Sequence, residues 1–382
     1  MSLPASVAAV CFIVCHGGPA EHFKAMSEEL SRQGQQVTIY ATGPAFDKLK
    51  ESGLEIIHFD ITDSQKSQED VAIDLARKCF KASAVITDVG HAFDVQMQET
   101  LGKMFPTVKR FAYYDNPEAY VPGGYSEVAS KVMRLSQGVL FANSNLATSS
   151  IYENPHQEVL FEKIERIGIG YYPMHQAKTI ALQRATQKQV LRNHLFTQQN
   201  LADSDQKILV YFGGNNKTYF HEALPAFLAI LEETIKTFDL SSYIILFQQH
   251  PGAKRENVDI QKLNEWITKI SADPKAPLIF ESTFSSEQAQ LVADSALYYQ
   301  TSMGPQFVLA GIPVIQIGHE PYLDIVVQNN LAPSVTTAGA LIETLTKGAK
   351  DSPSVDERLI LDKLGIKEKW GEILQQALSS DL

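Results

Sequence analysis

The sequence predicts an α/β protein of two doubly wound, Rossmann-like domains, and three observations predict it. Short β-branched apolar runs alternate with longer amphipathic stretches, the signature of parallel strands covered by helices on both faces. The alternation breaks over a Gln-rich polar stretch and then restarts. The chain of 382 residues is long enough for two or three domains, each with its own core.

The first series opens with "VAAVCFIVC" (7–15) as a strand and "AEHFKAMSEELSRQG" (20–34) as a helix with apolar residues at helical spacing. "QVTIYATG" (36–43) is a strand, "PAFDKLKESG" (44–53) a helix closed by glycine, and "LEIIHFDI" (54–61) a strand again. "SAVITDVG" (83–90), "VKRFAYYD" (108–115), "QGVLFANS" (137–144) and "RIGIGYY" (166–172) continue the strands. These assign residues 1–172 to the first domain and 173–206 to a helical linker. The second domain, 207–352, restarts with "ILVYFGG" (208–214), followed by a helix over 221–237 and "SYIILFQQ" (242–249). A helix near 258–271, "PLIFES" (277–282), a helix at 285–293, "ALYYQ" (296–300) and "PVIQIG" (313–318) complete it. Residues 353–382 read as one or two amphipathic helices that could cross back to the first domain. A cleft between the domains is expected, with ligands at the carboxyl ends of the strands.

Composition narrows the partners. The net charge of −11 argues against non-specific nucleic-acid binding. Cys11, Cys15 and Cys79 have neither a disulfide pattern nor metal-ligand spacing, and they read as buried thiols of a reducing cytoplasm. No Lys or Arg precedes the first apolar run, so it reads as a strand rather than a leader. No run approaches the ~20 apolar residues of a membrane span, and the expected location is cytoplasmic. Contact with a membrane surface stays open, although no basic amphipathic stretch stands out.

The residues that follow the strands carry the candidate chemistry. His16 follows the first strand and is placed to act as a general base, with Gly17 and Gly18 letting a ligand approach the backbone; an incidental loop histidine is the plain alternative. His22 is a second candidate on the next helical turn. Asp88 ends an apolar strand, where it can orient a catalytic histidine or merely cap a turn. Asp115 and Glu118 open a Pro/Gly/Tyr-rich loop suited to an acceptor site. In the second domain Gly213, Gly214 and Asn215, with Lys217 and Thr218, follow a strand where phosphate could bind. His250, held by Pro251 with Lys254 and Arg255 nearby, can donate to a phosphate oxygen. In "YYQTSMGPQ", Thr301, Ser302, Met303 and Gly304 form a small polar turn at a helix start, either a plain αβ connection or a nest of N–H groups for phosphate. Gln306 lies on that helix, and Asp324 follows the next strand. Walker, Gly-x-Gly-x-x-Gly and Gly-x-Ser-x-Gly motifs are absent, as is any metal-binding cluster in the linear sequence.

The order of these features resembles the two-domain GT-B glycosyltransferases over nearly the whole chain. "CHGGPAEHFKAMSEELSRQGQQVTIYATG" resembles their opening strand, His-x-x-Pro loop, helix and second strand, and "RNHLFTQQNLADSDQKILVYFGG" their entry into the donor domain. "SSEQAQLVADSALYYQTSMGPQFVLAGIPVIQIGHEPYLDIVVQNNLAP" is similar to the donor-site signature. The resemblance implies a nucleotide-sugar donor held by the second domain and an acceptor held by the first. It implies that His16 deprotonates the acceptor with Asp88 behind it, in an inverting transfer that needs no metal or other cofactor. Asp115 and Asp324, with Gly17 and Gly18, would then face sugar or acceptor.

Gln306 stands where UDP-binding members carry Glu, whereas His250-Pro251 and Thr301-Ser302 resemble motifs of CMP- and CDP-using members. The donor nucleotide therefore stays open between UDP or dTDP and CMP. The same fold also serves non-hydrolysing sugar-nucleotide 2-epimerases, which gather several carboxylates and a basic residue around the sugar. That set does not stand out along the sequence. A non-catalytic binding protein on a degenerate GT-B fold is the third alternative.

Overall fold

The computed structural model describes residues 9–62, 65–118, 124–148, 164–202, 205–214, 219–250, 258–299, 301–319, 324–347 and 356–380. The chain divides into two units, one formed by Met1–Pro173 with Leu361–Leu382 and the other by Met174–Ile360.

The first unit is built on a seven-stranded parallel sheet: β1 (Ala9–Val14), β2 (Gln36–Ala41), β3 (Ile56–His58), β4 (Ala84–Thr87), β5 (Lys109–Tyr114), β6 (Gly138–Phe141) and β7 (Glu165–Gly168). Their order is β3-β2-β1-β4-β5-β6-β7. The connections are α1 (Gly17–Arg32), α2 (Gly43–Leu49), α3 (Gln68–Cys79), α4 (Ala92–Met104) and α5 (Gly124–Leu135). Strand alternation explains why β1 is apolar throughout. Val10, Phe12 and Val14 pack with Phe23, Met26 and Leu30 of α1, while Cys11, Ile13 and Cys15 pack with Leu75 of α3 and Met97 and Leu101 of α4. The order reverses between β1 and β4, whose ends are level because Ile13 pairs with Thr87. Such a reversal opens a crevice at the carboxyl ends of the two strands.

The second unit carries a six-stranded parallel sheet, β8 (Lys207–Phe212), β9 (Tyr243–Gln248), β10 (Leu278–Glu281), β11 (Ser295–Tyr298), β12 (Val314–Ile317) and β13 (Ser334–Val335), in the order β10-β9-β8-β11-β12-β13. Its helices are α6 (Met174–Gln198), α7 (Leu224–Thr237), α8 (Val258–Ile270), α9 (Ser286–Val292), α10 (Gly304–Leu309), α11 (Ile325–Gln328) and α12 (Ala338–Lys347). A π-helical turn, Tyr219–Ala223, leads into α7.

The stretch expected to link the domains is α6, and it belongs to the second unit. Arg184 donates to the Gln290 carbonyl at 2.6 Å, and Lys188 pairs at 2.5 Å with Asp294, whose other oxygen accepts the Ile208 N–H of β8. Its polar composition thus serves packing as well as solvent.

The last two helices, α13 (Glu357–Lys363) and α14 (Trp370–Ser379), bring the chain back to the first unit, as expected for the fold class. Leu374, Ala377 and Leu378 join the core beside α1, Trp370 meets Tyr171 edge-on at 4.7 Å, and Lys109 donates to the Leu378 carbonyl. Among the described residues no helix is long and apolar enough to cross a membrane.

Candidate functional site

The reversal point of the first sheet carries the densest chemistry among the described residues. His16 is the N-cap of α1, yet its side chain makes no capping bond. The ring instead reaches Asp88 at the end of β4, with Nδ1 at 3.3 Å from Oδ2. The same oxygen accepts the backbone N–H groups of Cys15 and His16, each at 3.1 Å. The neighbouring ends of β1 and β4 are thereby tied through one carboxylate.

Three more elements close on this pair. Asp115, one residue past β5, accepts from the Tyr125 hydroxyl of α5 at 3.4 Å. A Cβ on Gly18 would come within 3.1 Å of Asp115 Oδ2, so this glycine lets α1 approach the acid. Gly90 is tighter still, because a Cβ there would stand 2.8 Å from both the His16 and Tyr125 rings. His91 caps α4, its Nδ1 accepting from Phe93 N–H at 3.0 Å, and its ring lies 5.7 Å from that of His16. Asp94 on the first turn of α4 is fully buried and accepts the His91 N–H at 2.9 Å.

These surroundings separate the proton affinities. The hydrogen bond that the His16 ring donates to Asp88 raises that of His16 against the effect of burial. Burial works against the charge of Asp88, but its bonds to His16, Asp94 and Cys15 outweigh it and hold the carboxyl below its ordinary value. Burial, then the charge of Asp88, pushes Asp94 well above the usual range. The same two causes lift Asp115 to about 6. His91 is lowered, by burial first and then by the charge of His16. Acids and bases with such divided affinities, gathered at one place, are the material of proton-transfer chemistry.

His22, the second histidine candidate, stands apart from this group. It bonds the Tyr113 hydroxyl at 2.6 Å, and burial with the charge of Lys48 lowers it to about 3, so it is a neutral packing histidine at pH 7. Glu118 is buried, and its carbonyl accepts from Tyr114.

The only set of possible metal ligands among the described residues is Cys15, Asp88 and Asp94, fully buried and with ligand atoms within 4.8 Å of one another. The Cys15 thiol faces Asp94 Oδ1 at 3.8 Å, and burial pushes the thiol further from the thiolate a metal needs. The set fits internal hydrogen bonding rather than ligation.

The second unit treats its predicted residues differently. The Gly213 N–H, expected to face phosphate, donates to the Gln248 carbonyl at 2.9 Å. Met303 N–H donates to Thr301 Oγ1, and Gly304 N–H to the Thr301 carbonyl, each at 3.2 Å. Two of the turn's N–H groups are therefore used within the chain, and its side chains present the half-buried Thr301 and exposed Ser302 hydroxyls. Gly304 sits in tight packing: a Cβ would meet the Val326 side chain at 3.0 Å. Gln306 is half-buried on α10, and Gly214 lies just past β8. His250 is lowered by burial, which disfavours the charged form that a charge-assisted bond would need.

Asp324 departs from the sugar-facing role that the sequence suggested. It is 2% exposed and caps α11, Oδ1 accepting Val326 N–H and Val327 N–H at 2.9 Å and the Tyr298 hydroxyl at 3.0 Å. That geometry accounts for the acid without a ligand. Asn215, Lys217, Thr218, Pro251, Lys254 and Arg255 lie outside the described residues.

Of the residues named from the sequence, the structure brings together His16, Asp88, Asp115 and Gly18, and it adds Gly90, His91, Asp94 and Tyr125, which the sequence did not single out. A glycine directly before a helix-capping histidine, two residues after a strand-ending acid, was the available signal.

No protein-family model matches the sequence, and no curated protein matches it. Solved structures do. The UDP-GlcNAc 2-epimerase of Neisseria meningitidis, solved bound to UDP-GlcNAc, aligns with a TM-score of 0.64 at 11% identity, over 97% of this chain and 99% of that one. The UDP-GlcNAc 2-epimerase of Methanocaldococcus jannaschii gives 0.63 at 12%, over 97% and 99%. MurG of Acinetobacter baumannii gives 0.51 at 15%, over 97% and 98%. Identities this low speak to architecture alone, and the architecture they share with this chain is the GT-B fold of two Rossmann-like domains.

Proposed function

We propose that the chain is a nucleotide-sugar enzyme and that its chemistry is that of a non-hydrolysing sugar-nucleotide 2-epimerase. The observation that carries this reading is the gathering of Asp88, Asp94 and Asp115 around His16, the set of several carboxylates and a basic residue that the linear sequence did not reveal. Epimerisation moves a proton off one face of a carbon and returns one to the other face. It needs one group able to accept a proton near neutral pH and another able to give one.

His16, raised above its ordinary value, and Asp115, lifted to about 6, are offered as these two groups. Asp88 keeps the imidazole oriented and favours its charged form. In the second unit, the hydroxyls of Thr301 and Ser302 and the neutral ring of His250 are offered as contacts for the diphosphate of a UDP-linked sugar. Two of the structural relatives named above are UDP-GlcNAc 2-epimerases, which makes that sugar nucleotide the first substrate to try.

Glycosyl transfer is the second reading, and a specific observation favours it. His16 directly after β1 with Asp88 behind it is the arrangement expected of a base that deprotonates an acceptor hydroxyl.

Incubation with UDP-GlcNAc in D2O, followed by proton NMR, separates the two. Epimerase chemistry yields the C2 epimer with deuterium at C2 and no need of an acceptor. Release of UDP only when an acceptor is added, with protium kept at C2, would turn the assignment to a transferase. No change in the sugar and no calorimetric binding of UDP would remove both.

A further inference from the structure

Asp94 lies beneath the His16–Asp88 pair with no exposed surface. Its Oδ2 accepts the His91 N–H at 2.9 Å, and its Oδ1 faces the Cys15 thiol at 3.8 Å. Asp88 is as deeply buried, but its two oxygens are unequally served. Oδ2 faces the Cys15 N–H, the His16 N–H and the His16 ring. Oδ1, sealed from water, meets no other donor among the described residues. A carboxylate oxygen buried in this way is costly unless something donates to it.

Around the pair stand Cys15 and His16 from the end of β1, His91 from the start of α4, Asp115 after β5 and Tyr125 from α5. Among the described residues, Asp94 is the carboxyl that interacts side chain to side chain with Asp88. One carboxyl oxygen of each acid and Cys15 Sγ lie within 4.8 Å of one another.

We propose that Asp94 is a positioning residue of this site: its carboxyl O–H donates to Oδ1 of Asp88, which fixes the Asp88 carboxylate and keeps Oδ2 turned to His16. Two buried carboxylates side by side cannot both ionise without strong repulsion, and one shared proton relieves it. Burial and the neighbouring charge both favour the proton on Asp94, in agreement with this geometry. Asp94 is also the residue that accepts from the His91 backbone, so α4 cannot shift without moving Asp88. The proposal rests on reading the His16 pocket as the reacting site, but its decisive test does not.

That test is the titration of the His16 ring, followed by nitrogen-15 NMR on the full chain. Asp94→Asn keeps a donor for Asp88 and an acceptor for His91, so the His16 midpoint should stay within about 0.3 pH units of the parent. A fall of about one unit or more would show that Asp94 is an anion in the parent and overturn the proposal. Asp94→Ala removes the donor, concentrates charge on Asp88 Oδ2 and should raise the midpoint; a midpoint that stays or falls counts against the proposal.

Once turnover is established, Asp94→Ala should lower kcat about tenfold with KM within about twofold, and move the acid limb of the kcat/KM profile upward. Asp94→Asn should restore most of that loss. A purely structural role would lower Tm and leave the acid limb in place. If the parent itself shows no turnover, the functional reading fails while the His16 titration still decides the role of Asp94. If Asp94→Ala does not fold, the near-isosteric Asp94→Asn decides alone.

Discussion

The two units share a parallel, doubly wound sheet, yet they equip the ends of their strands in opposite ways. At β1, β4 and β5 the first unit gathers titratable side chains, where burial and mutual hydrogen bonds lower the proton affinity of Asp88 and raise that of Asp94. At β8, β11 and β12 the second unit turns its polarity inward. Gly213, Met303 and Gly304 donate within the chain, Asp324 caps a helix, and buried Gln316 bonds the carbonyls of Tyr299 and His319 to hold two loops. One architecture thus gathers titratable side chains in one place and, among the described residues, polar groups bonded within the chain in the other. The difference teaches that the fold alone does not say where reaction happens; the distribution of proton affinity does.

The comparison breaks most directly at His16. His16→Ala should lower turnover about 10²–10⁴-fold, the usual worth of a positioned acid or base, while calorimetry finds UDP affinity unchanged. Loss of UDP affinity would mean that the proton site also binds the nucleotide. Gly90→Ala comes next. The added methyl has no space beside His16 and Tyr125, so the imidazole must move, and kcat should fall about 10–100-fold with little change in Tm. On the other side, Thr301→Val with Ser302→Ala should weaken UDP binding about tenfold, through two lost hydroxyl donors, and leave the His16 titration as it was.

How much of this was legible in the sequence follows from where each residue lies. Both sheets are covered on two faces, so their strands are continuous apolar runs that stand out without any periodicity, as β1 and β9 show. β13 has two residues and α11 four, too few to leave a pattern, and both escaped notice. His16, Asp88 and Asp115 were legible because each directly follows a strand, where open α/β sheets place their ligands.

Asp94 and Tyr125 reach the site from helices. In "AFDVQMQ" an acid on the first helical turn is explained by the helix dipole alone. The need for glycine at position 90 arises from rings far away in the chain, which no local reading can supply. Asp324 shows the same limit in reverse. An acid after a strand looks like a site residue until its oxygen is found capping the next helix.

Asp324 therefore tests the inward polarity of the second unit. Asp324→Ala removes the cap of α11 and the acceptor of the buried Tyr298 hydroxyl. Urea unfolding should register a loss of about 1–2 kcal/mol, with the acid–base behaviour of His16 unchanged. A variant as stable as the parent, but unable to bind UDP, would return Asp324 to the role of ligand contact.

Asp115 gives the smallest effect, and its sign is fixed by burial. Its folded-state pKa is raised to about 6 from an ordinary value of 3.8, so between those limits the folded chain holds a proton that the unfolded chain has released. Stability then falls as pH rises through that window, and the cost is complete once the buried acid ionises above it. Below pH 3.8 the acid is protonated in both states and contributes nothing. Asp115→Asn removes the charge but keeps an acceptor for Tyr125, so it should raise Tm at pH 7.5 by a few degrees, with the gain shrinking to nothing as pH falls toward about 4. Turnover should fall in the same variant, the expected exchange of stability against a strained functional acid. A Tm gain that persists unchanged at pH 4 would show that the effect is packing, and that Asp115 carries no buried charge for the site to use.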